Sequence, residues 1–403
     1  MEQEQKKSGV AAYLAGIKML LINKNYILLM LISICNSFTL STSKTMLSIY
    51  GKSFGMDGRT LGMMTGTYYL ICLICRPFTG SLVDKFNKKV IMTGCLVLKI
   101  ISWVIFAFCQ NPTMFTIARY TDAVAFCLVT SCFLGCTSTL IDKKSMGMGL
   151  AVYGSLPGVF TFFAPVLGEW MHNTFGGRTV YYFGIVCEIV AIILIQMLDF
   201  SKTEGKARPS KKFSFNDLIY LPAVPVCLSS FFLNLILTVN DVYLLLYCAD
   251  KGIQGVAVYF SIISATKVIA GLVFGGLSDL IGTKPTLIAC CIATAVSTAM
   301  IGMATSLWFL CISAFIAGVA NNGSRPVLQK AATDVAPREK FGVALSTNYF
   351  IFDCASTFAG YIAAMLVGVL GYTGTYYAMA IFPLIGMVFV IFAFKVKSES
   401  AAN

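Results

Sequence analysis

Apolar residues run along this chain in stretches of about twenty or more, separated by short breaks rich in Lys, Gly, Asn and Pro. A helix needs about 20 mainly apolar residues to cross the hydrocarbon core of a bilayer. Read with that ruler, the sequence predicts twelve spans, at 26–48, 59–83, 90–109, 112–140, 145–168, 179–198, 219–247, 254–278, 285–304, 307–335, 341–369 and 373–394. The longest polar interruption, Asp199 to Asp217, holds Lys202, Lys206, Arg208, Pro209, Lys211 and Lys212. It divides the spans six and six. The expected domains are an amino-terminal six-helix bundle at 1–198, a linker at 199–217 and a carboxy-terminal six-helix bundle at 218–403.

The chain also resembles itself at one fixed offset. Gly80-Ser81-Leu82-Val83-Asp84 returns 195 positions later as Gly275-Gly276-Leu277-Ser278-Asp279. The same shift pairs Lys89 with Lys284, Gly147 with Gly342, Gly176 with Gly371, and Tyr181-Tyr182 with Tyr376-Tyr377. Matches spread over most of a half-chain without a gap point to duplication of one unit. Internal repeats in a membrane chain mark many secondary transporters, which bind solute where the halves meet.

Composition changes the picture only by closing alternatives. Charged residues make up 12% of the chain and mean hydropathy is +0.80, whereas soluble domains carry roughly 25% charged residues. The lipid bilayer is therefore the expected partner. A net charge of +12 invites a nucleic-acid reading, but the cations sit in short clusters between apolar runs, as membrane orientation requires. No nucleic-acid partner is expected, and no cleavable signal peptide. The fifteen cysteines lie mostly inside apolar runs, where the thiol serves as a small apolar filler. Cys72-Leu-Ile-Cys75 has no second ligand pair near it, so neither a metal nor a disulfide is expected.

Placing the amino terminus in the cytoplasm puts twenty cations on that side, Lys24, Lys85, Lys88, Lys89, Lys143, Lys144, Lys284 and Lys340 among them. Only Lys52, Arg59, Arg178 and Lys251 fall on the other. The positive-inside rule then sets both chain ends and the linker in the cytoplasm of a multi-pass cell-membrane protein. Both copies of the Gly-x-Leu-x-Asp pattern share that side.

At this point the residues resemble the major facilitator superfamily. Gly80-Ser-Leu-Val-Asp84-Lys85-Phe-Asn87-Lys88-Lys89 looks like the signature loop of that family, and Gly276-Leu-Ser-Asp279-Leu-Ile-Gly282-Thr-Lys284 like its degraded second copy. The resemblance implies an all-α polytopic fold, two six-helix bundles related by an axis along the membrane normal. It also implies a cytoplasmic gate made here by Arg76, Gly80, Asp84, Lys85, Lys88, Lys89, Gly275 and Asp279. Asn87 stands where the family has glycine, a residue that tolerates the left-handed turn. The fifth span reads Gly154-x-x-x-Gly158, then Ala164-Pro165-x-x-Gly168. It lacks several glycines of the drug-antiporter pattern. Asn321-Asn322-Gly323-Ser324-Arg325-Pro326 and Asp353 look like features of a bacterial branch often labelled efflux proteins.

Ionisable groups within spans are costly, so each is a functional candidate. They are Lys44, Arg76, Lys99, Arg119, Lys267 and Arg325, with Asp122, Glu188, Asp241 and Asp353. The family fold implies that the first, fourth, seventh and tenth spans line the cavity. Lys99 and Glu188, on supporting spans, are expected to pair. Expected substrate contacts are Lys44, Arg119, Asn240, Lys267, Asn321, Arg325 and Tyr349. Candidate proton carriers are Asp122, which can meet Arg119 on one helix face, Asp241 and Asp353; the latter two could also neutralise Lys44 and Lys267. Two cations in excess tilt the solute toward an anion.

The function expected is secondary transport of a small organic solute, coupled to protons, by alternating access. No Gly-x-x-x-x-Gly-Lys-Ser/Thr loop for ATP phosphates occurs in the sequence, and no cofactor is expected. A multidrug proton antiporter and a non-transporting sensor or assembly factor on the same scaffold are the alternatives. An enzyme is not expected, because His172 is the only histidine and no His/Asp/Glu cluster could hold a catalytic metal. A monomer is expected.

Overall fold

The computed structural model describes residues 23–85, 87–140, 153, 157–158, 160–200, 219–337 and 340–402. Lys143, Lys144 and nearly all of the 199–217 linker lie outside them. Among the described residues the chain is helical, without a strand. The helices are α1 Lys24–Lys52, α2 Gly58–Lys85, α3 Lys88–Ala107, α4 Pro112–Leu140, α5 Ala164–Phe175 and α6 Arg178–Gln196, then α7 Val224–Asp250, α8 Ala257–Leu280, α9 Thr283–Gly302, α10 Leu307–Asp334, α11 Phe341–Met379 and α12 Ile381–Ala402. Among the described residues, eight helical segments are long and apolar enough to cross a membrane, one of them the joined stretch Val343–Phe394.

Helix ends follow local chemistry rather than the apolar window. Asn23 opens α1 by accepting from the backbone N–H of Asn25 and Tyr26, and Asp57 opens α2 by accepting from Thr60 N–H at 2.9 Å. Both satisfy amide donors that the first turn leaves unpaired. Asn87 does the same for α3, at φ −56°, accepting from Lys89 N–H at 2.9 Å. It is a helix cap, not the left-handed turn expected of it. The α5 helix continues past the predicted end at 168 to Phe175 and stops at Gly176, φ +88°. Polar Glu169, His172 and Asn173 end the apolar run without ending the helix. At the twelfth span the loop is missing: Gly371, φ +64°, breaks α11 internally, in the left-handed region that favours glycine.

In lipid each backbone polar group must find its partner inside the protein, and hydroxyls within spans can use the same carbonyls. Thr42 therefore donates to the Phe38 carbonyl, Thr45 to Ser41 and Thr298 to Thr294, the back-bonding that lets hydroxyls sit within spans. Apolar side chains are exposed on α3 (Val97, Ile101), α6 (Val186, Ile193), α9 (Ile292, Val296) and α12 (Leu384, Val388). Apolar side chains are exposed likewise on α8 (Ile269, Val273), α10 (Ile312, Phe315) and α11 (Met365, Val369), so the lipid-facing surface is not confined to the four supporting helices expected from the family. All fifteen cysteines are free thiols, ten of them buried.

The repeat has a structural counterpart. Tyr50 Oη donates to the Phe106 carbonyl and packs on Tyr181; Tyr247 Oη donates to the Gly302 carbonyl and packs on Tyr376. Tyr181 and Tyr376 are one of the offset pairs. Between the halves, α2 lies along α11 and α1 meets α7. The α5 carboxylate of Glu169 accepts from Ala257 N–H at the start of α8. Gly62 and Gly66 of α2 come close to Gly360 of α11. A Cβ on Gly360 would collide with the Gly66 backbone and lie 2.6 Å from the Gly62 carbonyl oxygen. Small residues four apart allow such backbone contact in membranes.

Candidate functional site

Polar side chains inside the helices collect around two cavities. The first, about 60 Å³, lies in the amino-terminal half and is lined by Lys44, Tyr68, Arg119, Asp122 and Tyr181, among others. Arg119 and Asp122 are one turn apart on α4 and buried, with Nη1 to Oδ2 at 3.5 Å. That is long for a charge-assisted bond. The guanidinium instead lies on the Tyr68 ring, 3.7 Å from its centroid, a cation–π contact that holds a desolvated cation. Arg119 Nε and Asp122 Oδ1 have no hydrogen-bond partner.

The second cavity, about 120 Å³, is built by α7, α10 and α11, with Asn321, Arg325, Gln329 and Tyr349 in its lining. Arg325 is exposed to it, its guanidinium 4.6 Å from the Phe352 ring centroid. Tyr349 accepts from Gln329 Nε2 at 3.0 Å. Asn321 is 2% exposed, and both atoms of its carboxamide lack a partner.

Two ion pairs cross the seam between halves. Lys44 of α1 pairs with Asp241 of α7. Arg76 of α2 pairs with Asp353 of α11: Nη2 donates to Oδ1 at 3.2 Å, and Nε lies 2.8 Å from Oδ2 without hydrogen-bond alignment. All four side chains keep some water contact. Sequence reasoning set Lys267 opposite Asp353 and Arg76 in the cytoplasmic gate; Arg76 takes that carboxylate instead. A third pair, Lys99 with Glu188 at 3.0 Å, joins α3 and α6 and is 1% and 0% exposed.

The remaining candidates are more scattered. Asn240 donates to Tyr259 Oη at 3.0 Å, away from both cavity linings. Lys89 Nζ donates to the Gln196 carbonyl and Lys88 lies over Phe200, contacts within the amino-terminal half. Gly80, Asp84, Lys85, Lys267, Gly275 and Asp279 occupy helix positions whose side chains fall outside the described residues. Among the described residues, no group of three His, Cys, Asp or Glu side chains is placed to hold a metal.

Sequence reasoning missed a polar seam in the lining of the second cavity. Ser230 donates to Asn348 Oδ1 at 2.6 Å, and Asn234 Nδ2 donates to the Phe352 carbonyl at 2.8 Å and to Ser356 Oγ at 2.7 Å. The signal was available: Ser230 and Asn234 stand four apart within an apolar run, on one face of α7.

Comparison with known proteins gives the family from one match and the fold from others. The Major Facilitator Superfamily model matches residues 29–265 and 226–403. The chain is 27% identical over 214 residues to the quinolone resistance protein NorA of Staphylococcus aureus (strain MSSA476), covering 51% of this chain and 53% of that protein. It thus spans about half the length of the curated relatives it matches there. An MFS-type transporter of Methanocaldococcus jannaschii is 23% identical over 363 residues, covering 84% and 90% of the two chains. Among solved structures, a POT family transporter in complex with 5-aminolevulinic acid superposes with a TM-score of 0.79 at 11% identity, over 92% of this chain and 96% of that one. The human organic anion transporter MFSD10 gives 0.68 at 13% identity, over 91% and 99%. With this fold of two six-helix bundles, these matched residues and a multi-pass membrane chain, the protein belongs to the major facilitator superfamily of transporters.

Proposed function

We propose that this chain is a proton-coupled secondary transporter of a small organic anion, working by alternating access as a monomer in the cell membrane with both ends in the cytoplasm. The observation that carries the reading is the pair of ion bridges across the seam. Each acid of the carboxy-terminal half inside the membrane, Asp241 and Asp353, meets a cation of the amino-terminal half, Lys44 and Arg76. A proton on either carboxylate removes the charge that its partner faces. A hydrogen bond to a charged group contributes about 1.5–3 kcal/mol, so losing one bridge shifts an equilibrium between two arrangements of the halves by roughly 10- to 150-fold. That is the size of effect a coupling proton must have.

Asp122 is the third proton carrier in this reading, with Arg119 as the cation it restrains. Lys44, Arg119, Lys267, Asn321, Arg325 and Tyr349 face the solute in the course of the cycle. Gly80, Asp84, Lys85, Lys88, Lys89, Gly275 and Asp279 form the cytoplasmic gate, between bundles at 1–198 and 218–403 joined by the 199–217 linker. Proton antiport of drugs is a second reading, favoured by the likeness to NorA over half the chain.

The test is solute flux into proteoliposomes holding the purified protein, with and without an imposed pH gradient. The wild type is expected to accumulate a carboxylate solute only with the gradient, and Asp353→Asn to lose accumulation while retaining exchange. Equal wild-type flux with and without the gradient overturns coupling. A preference for lipophilic cations favours the drug antiporter.

A further inference from the structure

We infer that Arg325 is the anchor for a solute bearing one negative charge on an otherwise neutral body, and that the carboxy-terminal half alone builds this anchor. The inference rests on the transporter reading above and narrows its solute.

The argument begins with charge. The four acids within the spans each meet one cation: Asp122 meets Arg119, Glu188 meets Lys99, Asp241 meets Lys44 and Asp353 meets Arg76. Among the described residues Arg325 makes no ion pair and no hydrogen bond, and its contact is the face of Phe352. A guanidinium has five N–H donors in a fixed fork matched to carboxylate geometry. Arg325 presents that fork, unclaimed, to an open cavity.

The lining then restricts the solute. It holds no acid; its other polar members are neutral, and Leu233, Leu237, Leu328 and Phe352 supply an apolar wall. An ammonium brought here meets Arg325 and no acid of the lining, and desolvating it unpaired is costly. That disfavours organic cations and zwitterions. A second carboxylate also gains nothing, because no second cation lines the cavity. Within the same lining the buried carboxamide of Asn321 has both its donor and its acceptor unfilled. A neutral hydrogen-bonding group on the solute body can pair with both. The amino-terminal cavity differs in kind, since Arg119 and Lys44 there already have Asp122 and Asp241.

The test uses the purified full-length protein in detergent and a charge series on one ring: benzoate, terephthalate, benzylamine, 4-(aminomethyl)benzoate and benzamide. Binding is read by calorimetric titration and by ligand-induced thermal stabilisation. Benzoate is expected to bind at least tenfold more tightly than the cation, the zwitterion or the neutral amide, with terephthalate no tighter than benzoate. Arg325→Gln should weaken benzoate at least tenfold, and Arg325→Lys less, since charge remains while the fork is lost. The wild-type series decides even where a variant fails to fold. Tighter binding of benzylamine or the zwitterion overturns the inference, as does a tenfold preference for terephthalate or unchanged benzoate binding in Arg325→Gln. Loss of benzoate in Lys267→Gln with Arg325→Gln unaffected moves the anchor to α8 and overturns it too. If none of the five binds, the inference fails; the transporter reading is judged separately, by flux under the pH gradient.

Discussion

Replacing Lys99 by methionine should destabilise the amino-terminal bundle more than any single change at the cavities. The ammonium is 3.0 Å from Glu188 Oε1 and 5.1 Å from the Trp103 ring centroid, and both charged side chains are almost wholly buried. Glu188 Oε1 also accepts from Thr39 Oγ1 at 3.0 Å, whereas Oε2 has no partner. Without Lys99 the carboxylate keeps the Thr39 hydroxyl and a long 3.5 Å bond from Asn36 Nδ2 in a dry setting. Removing one partner of a buried pair costs about 3–5 kcal/mol. For a cooperative unit near 200 residues, about 2–4 °C per kcal/mol applies, which gives a fall of roughly 6–20 °C. The double variant Lys99→Met with Glu188→Leu removes both charges, and should return to within about 1 kcal/mol of the wild type or exceed it. Thermal unfolding in detergent, followed by the intrinsic fluorescence to which Trp103 contributes, measures both. A single variant melting within 2 °C of the wild type refutes the reasoning. So does a double variant as unstable as the single one, because the penalty then lies in packing rather than in a stranded charge.

Gly360→Ala should separate α2 from α11, because the added methyl collides with the Gly66 backbone; loss of gradient-driven flux with a lowered melting temperature is expected, and an unchanged pair of values contradicts the close contact. Asp57→Ala removes the cap of α2 in the loop after α1, at a cost of about 0.5–1 kcal/mol for this exposed site. Hydrogen bonds from the Thr60 hydroxyl and then its backbone N–H hold the Asp57 carboxyl below its ordinary value of 3.8. A depressed carboxyl contributes stability above the unfolded value, and that contribution is lost as pH falls through the folded one. The gap between wild type and Asp57→Ala should therefore close below about pH 4, as melting curves across pH would reveal.

The hydropathy of the chain made the spans legible, since lipid imposes one length on each of them, and the duplicated glycine–aspartate loop pointed to the family. Pairing was less legible. Lys99 and Glu188 could be matched because supporting helices offered each no other partner. Arg76 and Asp353 could not, since 277 residues separate them. Which cation faces a given acid depends on how each helix is rotated. In helices apolar on every side, sequence carries little record of rotation. Asn87 was misread for a related reason: the residue suits both a left-handed turn and a helix cap, and only the amides of Lys89 and Val90 decide between them. The cavity behind Arg325 lay beyond sequence because it needs Asn348 and Ser230 side by side, from helices distant in the chain.

The glycine contact of α2 with α11 limits how the molecule can change shape. Two main chains touching without side chains between them can roll on one another, but parting them would open a void that neither lipid nor a side chain is at hand to fill. Gly66 and Gly360 thus make a fulcrum near the end of the seam remote from the chain termini. In the proposed alternating-access cycle, motion of one bundle against the other is leveraged about that point and grows toward the end where Lys24 and Asp199 lie.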